Sequence, residues 1–214
     1  MRKLKPAAVS FAVSRKLRKL TPADQAAAWA TGGHGAKKFK AEISKHLKKS
    51  QNNRCAYCGT RFHGSKPHRD HIAPKGVTLH PEWTFHCRNL VLACYDCNSD
   101  RKGEFDTVVT KSSFYRQIKF NIVHPYLDEP SDHLAFTGYR ISVLVHPVNG
   151  SQKGAKTIEL FHLDDPLRTK ERAKDALLDE DVEHLQGKWK RLAEMFIYAP
   201  MPQRMVLKIR GAST

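Results

Sequence analysis

The spacing of apolar and polar positions predicts two helices near the N-terminus. Thr21 suits an N-cap, Pro22 the first helical position and Asp24 the first turn, so a helix is expected to begin after Thr21 and to end at Gly32–Gly33. A second helix is predicted over residues 37–50, where an apolar residue recurs every four positions. The stripe that would face the core consists of Phe39, Ile43 and Leu47.

Beyond residue 120 the pattern becomes that of short strands. Runs of β-branched and aromatic residues, separated by Pro, Asp and Gly, predict a small antiparallel sheet. Its strands would come from Phe120 to His124, Leu134 to Val145 and Thr157 to Phe161.

Asp165-Pro166 predicts the start of a C-terminal helical region. We expect Gly187 to bend this region, prolines 200 and 202 to end it, and residues 205–209 to return as a short strand. Its buried face is predicted to hold Leu177, Leu178, Val182, Leu185, Trp189, Leu192, Ala193, Phe196 and Ile197. Helices at both ends and short strands between them give an α+β fold.

Positive charge is concentrated at the N-terminus. The net charge is +16, and residues 1–54 carry 14 Lys/Arg against only Asp24 and Glu42, which gives +12. We interpret residues 1–20 as a basic arm and the whole region as a partner for a polyanion, usually nucleic acid; a solvated surface or a dock for an acidic protein is the alternative. No apolar run is long enough to cross a membrane, and we expect no secretion signal and a cytoplasmic location.

Two CxxC pairs predict a structural zinc site. Each pair places two thiolates on one side of a tight turn, and four sulfurs form the tetrahedron that Zn²⁺ prefers. Arg54, Arg61 and Arg101 are close enough in sequence to offset the thiolate charge, and Cys87 is expected to be a free structural thiol. The four predicted ligands are Cys55, Cys58, Cys94 and Cys97.

The residues between and after the two pairs carry candidate chemistry. Asp70 and His71 are adjacent on a predicted strand, and Asn98 directly follows the last cysteine at the start of a predicted helix. Zinc would hold that helix against the strand, so a carboxylate, an imidazole and an amide oxygen would converge. Lys102, one turn after Asn98, or Arg101 could hold a phosphate.

The segments CAYC, DHIAP and NLVLACYDCNSDRKG resemble the HNH endonuclease family, whose catalytic core is a ββα-metal fold. The resemblance covers about residues 52–106. It implies His71 as the general base and Asp70 and Asn98 as ligands of one catalytic Mg²⁺ or Mn²⁺. It further implies that Asn89 braces the loop that orients His71. Asn98 stands where the family name has its final histidine, and an amide oxygen favours the harder cations.

The flanking segments resemble the PtuB-like nuclease subunits of Septu-type bacterial anti-phage systems, which implies a bacterial source and a separate ATPase partner. The chain itself contains no P-loop. The segment 124–133 resembles an element downstream of some HNH modules, and we interpret it as a turn that packs the sheet onto the core. We divide the chain into a basic N-terminal region (1–51), an HNH core (52–110) and a C-terminal α+β extension (111–214).

The function predicted is therefore metal-dependent hydrolysis of DNA phosphodiester bonds. Three alternatives stay open: a zinc-ribbon nucleic-acid-binding protein without catalysis, an RNase or toxin on the same scaffold, and a structural subunit that docks an acidic protein.

Overall fold

Helices α1 (Phe11–Arg18), α2 (Pro22–Thr31) and α3 (Ala36–Ser50) form the N-terminal layer of the molecule. The computed structural model describes residues 1–7, 9, 11–138 and 141–198. Thr21 caps α2 by accepting a hydrogen bond from the Asp24 amide, and Gly32 ends α2 in the left-handed conformation. Both helices predicted here are confirmed, and the predicted stripe of α3 is fully buried.

Residues 1–20 do not form a loose basic arm. The Leu4 amide donates to the Pro125 carbonyl at 2.8 Å, and the Leu4 side chain is buried. Helix α1 follows, with Leu17 fully buried, and packs against α3. The arm prediction is wrong because apolar residues alternate with the basic ones, so one side of this segment can be buried while the charges stay in water.

The centre of the fold is a two-stranded antiparallel sheet followed by a short helix. Strand β1 (His68–His71) pairs with β2 (Leu90–Ala93), and His71 lies opposite Leu90 in the register. Strand β2 is buried throughout and packs against α3. Residues Asp96–Lys102 then form a single π-helical segment, a winding that is common at functional sites.

The strands beyond this core form two separate pairs, so the predicted single sheet is wrong. Strand β3 (Val108–Thr110) pairs with β4 (Lys119–Phe120), and β5 (Leu134–Thr137) pairs with β6 (Leu144–Pro147). Thr157 to Phe161 belongs to helix α4 (Gln152–Phe161) instead of a strand. Ser151 caps α4 through the Gly154 amide, and Thr157, Ile158 and Phe161 bury one face with helical spacing.

Helix α5 (Pro166–Glu183) begins at the predicted Asp165 cap, and α6 (Gly187–Tyr198) begins at Gly187, which has a positive φ. The predicted apolar face is largely wrong. Val182 is buried, whereas Leu177, Leu185 and Trp189 are exposed. The buried positions of α5 are instead mostly charged: Arg168, Arg172 and Asp175.

The predicted end of this region, with prolines 200 and 202 and a strand at 205–209, lies outside the described residues, as do the side chains of Leu192, Phe196 and Ile197. Among the described residues no helix combines the length and apolar character needed to cross a bilayer.

Candidate active site and metal centre

The four CxxC cysteines meet at one point. Their Sγ atoms all lie within 4.8 Å of one another. The Sγ atoms of Cys58 and Cys94 are 3.8 Å apart, which is about the edge of a tetrahedron with metal–sulfur bonds of about 2.3 Å. The cluster therefore fits a four-coordinate metal ion.

Local backbone bonds build this cluster. The first turn is closed by Gly59, whose amide donates to the Cys55 carbonyl at 3.0 Å while its φ is +77°. The Ala56 amide donates to the Leu92 carbonyl of β2 at 3.0 Å, and Cys94 comes directly after β2. The four-cysteine cluster thus joins the first turn, β2 and the π-helix.

The arginines expected to offset the thiolate charge pair with carboxylates instead. Arg54 lies 3.2 Å from the Asp175 carboxylate of α5 and also contacts Asp179. The guanidinium of Arg61 contacts Asp179, and its amide donates to Asp175 at 2.7 Å. Two carboxylates of α5 therefore hold the first cysteine turn from outside.

Asp70, His71 and Asn98 all line one cavity of about 290 Å³. Asp70 and His71 come from the end of β1, and Asn98 from the π-helix. The structure thus brings together the carboxylate, the imidazole and the amide that the sequence singles out.

His71 is held as a neutral imidazole with one defined tautomer. Its Nε2 lies 3.0 Å from the Thr84 carbonyl, which can only accept, so Nε2 carries the proton and Nδ1 keeps a lone pair. Burial, followed by the charge of Lys75, lowers the pKa of His71 to about 3. The Trp29 ring lies against the imidazole edge-on, with ring centroids 4.4 Å apart. These contacts leave Nδ1 as the basic nitrogen.

Asp70 is almost fully buried, and two groups contact its carboxylate. The Tyr57 hydroxyl donates to one oxygen, and the Lys102 ammonium lies 3.2 Å from the other. Lys102 also donates to the His71 carbonyl at 2.8 Å. Tyr57 is itself fixed by stacking on Phe161 of α4 at 4.1 Å. Because each carboxylate oxygen can accept two bonds, Asp70 retains lone pairs for a cation.

Asn98 supplies the second oxygen. Its amide nitrogen donates to Ser99 Oγ at 3.1 Å, which leaves the amide oxygen to bind a cation. A carboxylate and an amide oxygen in one cavity match the donors that Mg²⁺ and Mn²⁺ prefer. The donor set therefore fits a hard divalent ion.

Asn89 is fully buried and closes the loop between β1 and β2. Its Oδ1 accepts from the Ala73 amide at 2.7 Å, while Nδ2 donates to the carbonyls of Ala73 at 3.0 Å and Trp83 at 3.1 Å. Trp83 immediately precedes Thr84, the acceptor of the His71 proton. Asn89 thus ties both ends of the loop that carries this acceptor.

The two side chains predicted to hold phosphate both have partners within the protein. Lys102 lines the cavity and is buried in its ion pair with Asp70. Arg101 lies 3.4 Å from Asp96 and 3.4 Å from His162 Nε2, and it is not among the residues that line the cavity. Phosphate binding by Lys102 or Arg101 stays a prediction.

Other basic and aromatic side chains line the cavity, and sequence reasoning missed them. Arg69 and Lys75 contribute cations, and Trp29 contributes a wall. Arg69 precedes His71 by two positions, so the period of a strand places both on one face and could have identified it. Trp29 comes from α2, far away in sequence, and carries no local signal.

Two comparisons with known proteins agree with this geometry. The model of the HNH endonuclease family matches residues 55–104. The chain is also similar to the Septu protein PtuB of Bacillus mycoides (strain KBAB4), with 28% identity over 168 residues. The alignment covers 68% of this chain and 54% of the relative, so the chain spans about half the length of the protein that it matches.

Proposed function

We propose, from the HNH endonuclease domain at residues 55–104, that this protein is a metal-dependent endonuclease that hydrolyses DNA phosphodiester bonds. The observation that supports it best is the shared cavity, in which Asp70, Asn98 and a neutral His71 meet. Strands β1 and β2 with the π-helix would form the ββα-metal core of that family.

His71 is the proposed general base. Hydrolysis requires removal of a proton from water as it attacks phosphorus, and the lone pair on Nδ1 can accept it. When Nδ1 takes the proton, the Thr84 carbonyl stays bonded to Nε2–H and stabilises the imidazolium. Trp29 and the loop keep the ring in this orientation.

Asp70 and Asn98 are the proposed ligands of one Mg²⁺ or Mn²⁺ ion. Once bound, such an ion supplies positive charge to the developing negative charge on phosphate and leaving oxygen. Tyr57 orients the Asp70 carboxylate for this role. Arg69 and Lys75 also line the cavity, and we propose that these two cations attract the DNA phosphates.

Cys55, Cys58, Cys94 and Cys97 are proposed to hold a structural Zn²⁺. Four sulfurs leave no open position on the ion, so this metal stabilises the fold and takes no part in hydrolysis. Its binding would contribute on the order of 10 kcal/mol to folding.

We further propose that the protein acts in anti-phage defence, with an ATPase as a separate subunit. The similarity to the Septu protein PtuB supports this role.

Plasmid digestion tests the nuclease. Zinc-loaded protein with Mg²⁺ or Mn²⁺ is expected to nick supercoiled plasmid, and His71→Ala is expected to lower the rate at least a hundredfold because the general base is lost. The matched control is His68→Ala on the same strand, which contacts Tyr95 and does not line the cavity.

The outcomes separate the alternatives. Cutting that requires His71 but acts on RNA and not DNA would identify an RNase on this scaffold. DNA binding without cleavage by wild type, under either metal, would leave a zinc-ribbon binding protein. A rate unchanged in His71→Ala would refute the mechanism.

A further inference from the structure

Asn89, which fixes the loop carrying Thr84, is itself held by a residue outside the HNH domain. The hydroxyl of Tyr115 donates to Asn89 Oδ1 at 2.9 Å. This oxygen therefore accepts two hydrogen bonds, from Tyr115 and from the Ala73 amide, and the amide of Asn89 can adopt only one orientation. Tyr115 and Asn89 are both buried, so water does not replace either bond.

The direction of the Tyr115 hydroxyl is set by His124. His124 Nδ1 accepts from the amides of Tyr126 at 3.1 Å and Leu127 at 3.3 Å, so Nδ1 bears no proton. The neutral ring then carries its proton on Nε2, which lies 2.9 Å from the Tyr115 oxygen. Because Nε2–H donates to that oxygen, the hydroxyl proton points at Asn89. Burial lowers the pKa of His124 to about 3, which keeps the ring neutral.

His124 is anchored in turn. Its amide donates to Asp128 Oδ2 at 2.8 Å, and Asp128 pairs with Lys153 of α4 at 2.8 Å. The sequence alone suggested a turn that packs the sheet. The structure adds a directed series of hydrogen bonds from this turn to Asn89. The match to the family ends at residue 104, and His124 lies 20 residues beyond that point.

We propose that Tyr115 and His124 are positioning residues for the nuclease, which act through Asn89 to keep the Thr84 carbonyl on His71 Nε2 and the base nitrogen free. The inference rests on the proposed function. It adds that the HNH domain is incomplete without the segment 115–128. Loss of a partner in such an outer layer typically lowers activity 10–100-fold.

Tyr115→Phe is the first test, since it removes the hydroxyl and keeps the ring. We expect kcat for plasmid nicking to fall at least tenfold with KM unchanged within about twofold, because substrate contacts are intact. The matched control is Tyr126→Phe. It removes another buried hydroxyl, which donates to the Leu90 carbonyl at 2.6 Å and does not contact Asn89. This control is expected to retain wild-type kcat.

Two substitutions of His124 separate positioning from stability. His124→Gln places an amide N–H near Nε2, so it keeps the bond to Tyr115 and loses the acceptor for Tyr126 and Leu127. His124→Asn does the reverse. We expect His124→Gln to retain more nicking activity than His124→Asn. If the two rank by thermal stability instead, the role of His124 is structural only.

The tautomer of His71 gives a readout that does not depend on activity. In ¹⁵N-labelled wild-type protein, the ¹⁵N chemical shifts of the His71 ring are expected to show the tautomer that is protonated on Nε2. In Tyr115→Phe, the same chemical shifts are expected to show a mixture of the two tautomers. An unchanged tautomer and unchanged kcat in Tyr115→Phe would overturn the proposal, as would an equal fall of kcat in Tyr126→Phe. A wild-type protein that fails to cleave would refute the proposed function but would leave this measurement able to test the positioning role.

Discussion

The Asp70 carboxylate shows how one residue serves both folding and chemistry. It is buried, and its charge is balanced by the Lys102 ammonium at 3.2 Å and by the Tyr57 hydroxyl. A buried carboxylate without a cation is costly, and a divalent ion is proposed to bind this same group. The Lys102 ammonium therefore pairs with the Asp70 carboxylate and holds it in place.

Replacing Lys102 by Met tests whether the Lys102 ammonium stabilises the buried Asp70 carboxylate. In zinc-loaded protein without Mg²⁺, we expect Lys102→Met to lower the free energy of unfolding by about 3 kcal/mol, because an unpaired buried carboxylate remains. Adding Mg²⁺ should recover part of the loss if Asp70 binds the ion. Urea unfolding with and without Mg²⁺ measures both, with the exposed Lys111→Met as control. An equal loss in the two conditions would argue against Asp70 as a ligand.

The grouping of the site could be predicted from sequence only where neighbours in sequence become neighbours in space. Asp70 and His71 share a strand, and Asn98 directly follows a cysteine of the four-cysteine cluster. Because these cysteines come together, Asn98 is expected to lie near the strand that carries Asp70 and His71. Tyr57, Trp29 and Tyr115 could not be predicted, because each reaches the site through tertiary packing. Lys102 was assigned to phosphate because sequence does not reveal burial.

At the level of elements, strong caps were predictable and short apolar runs were not. Thr21 and Asp165 start helices as expected, because a cap is a local hydrogen bond. The predicted strand from Thr157 to Phe161 is wrong because a five-residue apolar run fits the period of a strand or of a helix. The predicted inner face of α5 is wrong because charged residues occupy it. Asp175 pairs with the first cysteine turn, and Arg168 pairs with Asp96.

Asp175 on α5 is the residue on which that contact depends. Its carboxylate is buried and accepts hydrogen bonds from the Arg61 backbone amide at 2.7 Å and from the Arg54 guanidinium at 3.2 Å. It also lies 2.8 Å from His63 Nε2. The charged face of α5 therefore fixes the turn that supplies Cys55 and Cys58.

We expect Asp175→Asn to lower the free energy of unfolding by about 3 kcal/mol, because buried guanidinium groups lose their counter-charge. Because the first cysteine turn loosens, a chelator should also extract zinc faster than from wild type. Thermal unfolding and the rate of zinc transfer to a coloured chelator measure these effects. Asp181→Asn, an exposed position on the same helix, is the control. Wild-type zinc release in Asp175→Asn would show that α5 does not support the cysteine turn.

At the scale of the whole molecule, positive charge is concentrated in the N-terminal region, and part of that region lies beside the cavity. The N-terminal 54 residues carry +12 of the net +16, and α3 contributes many of the exposed lysines. Lys40 of α3 lies 4.8 Å above the Trp29 ring, which also contacts the His71 ring. Burial lowers the pKa of Lys40, and the charges of Arg69 and Lys75 lower it further. These three cations therefore lie close together.

Such a cluster should bind the DNA backbone, and Lys75 is the residue that tests it, since it lines the cavity beside Asp70 and His71. In a His71→Ala background, which prevents cutting, Lys75→Gln should weaken duplex binding about equally for unrelated sequences. The slope of log K against log[salt] should become shallower by about one, because one phosphate contact is lost. Fluorescence anisotropy from 50 to 200 mM salt measures the slope. Lys174→Gln, which removes the same charge from the exposed side of α5, should leave it unchanged. If both variants weaken binding equally, net charge and not the cavity cations attracts the DNA.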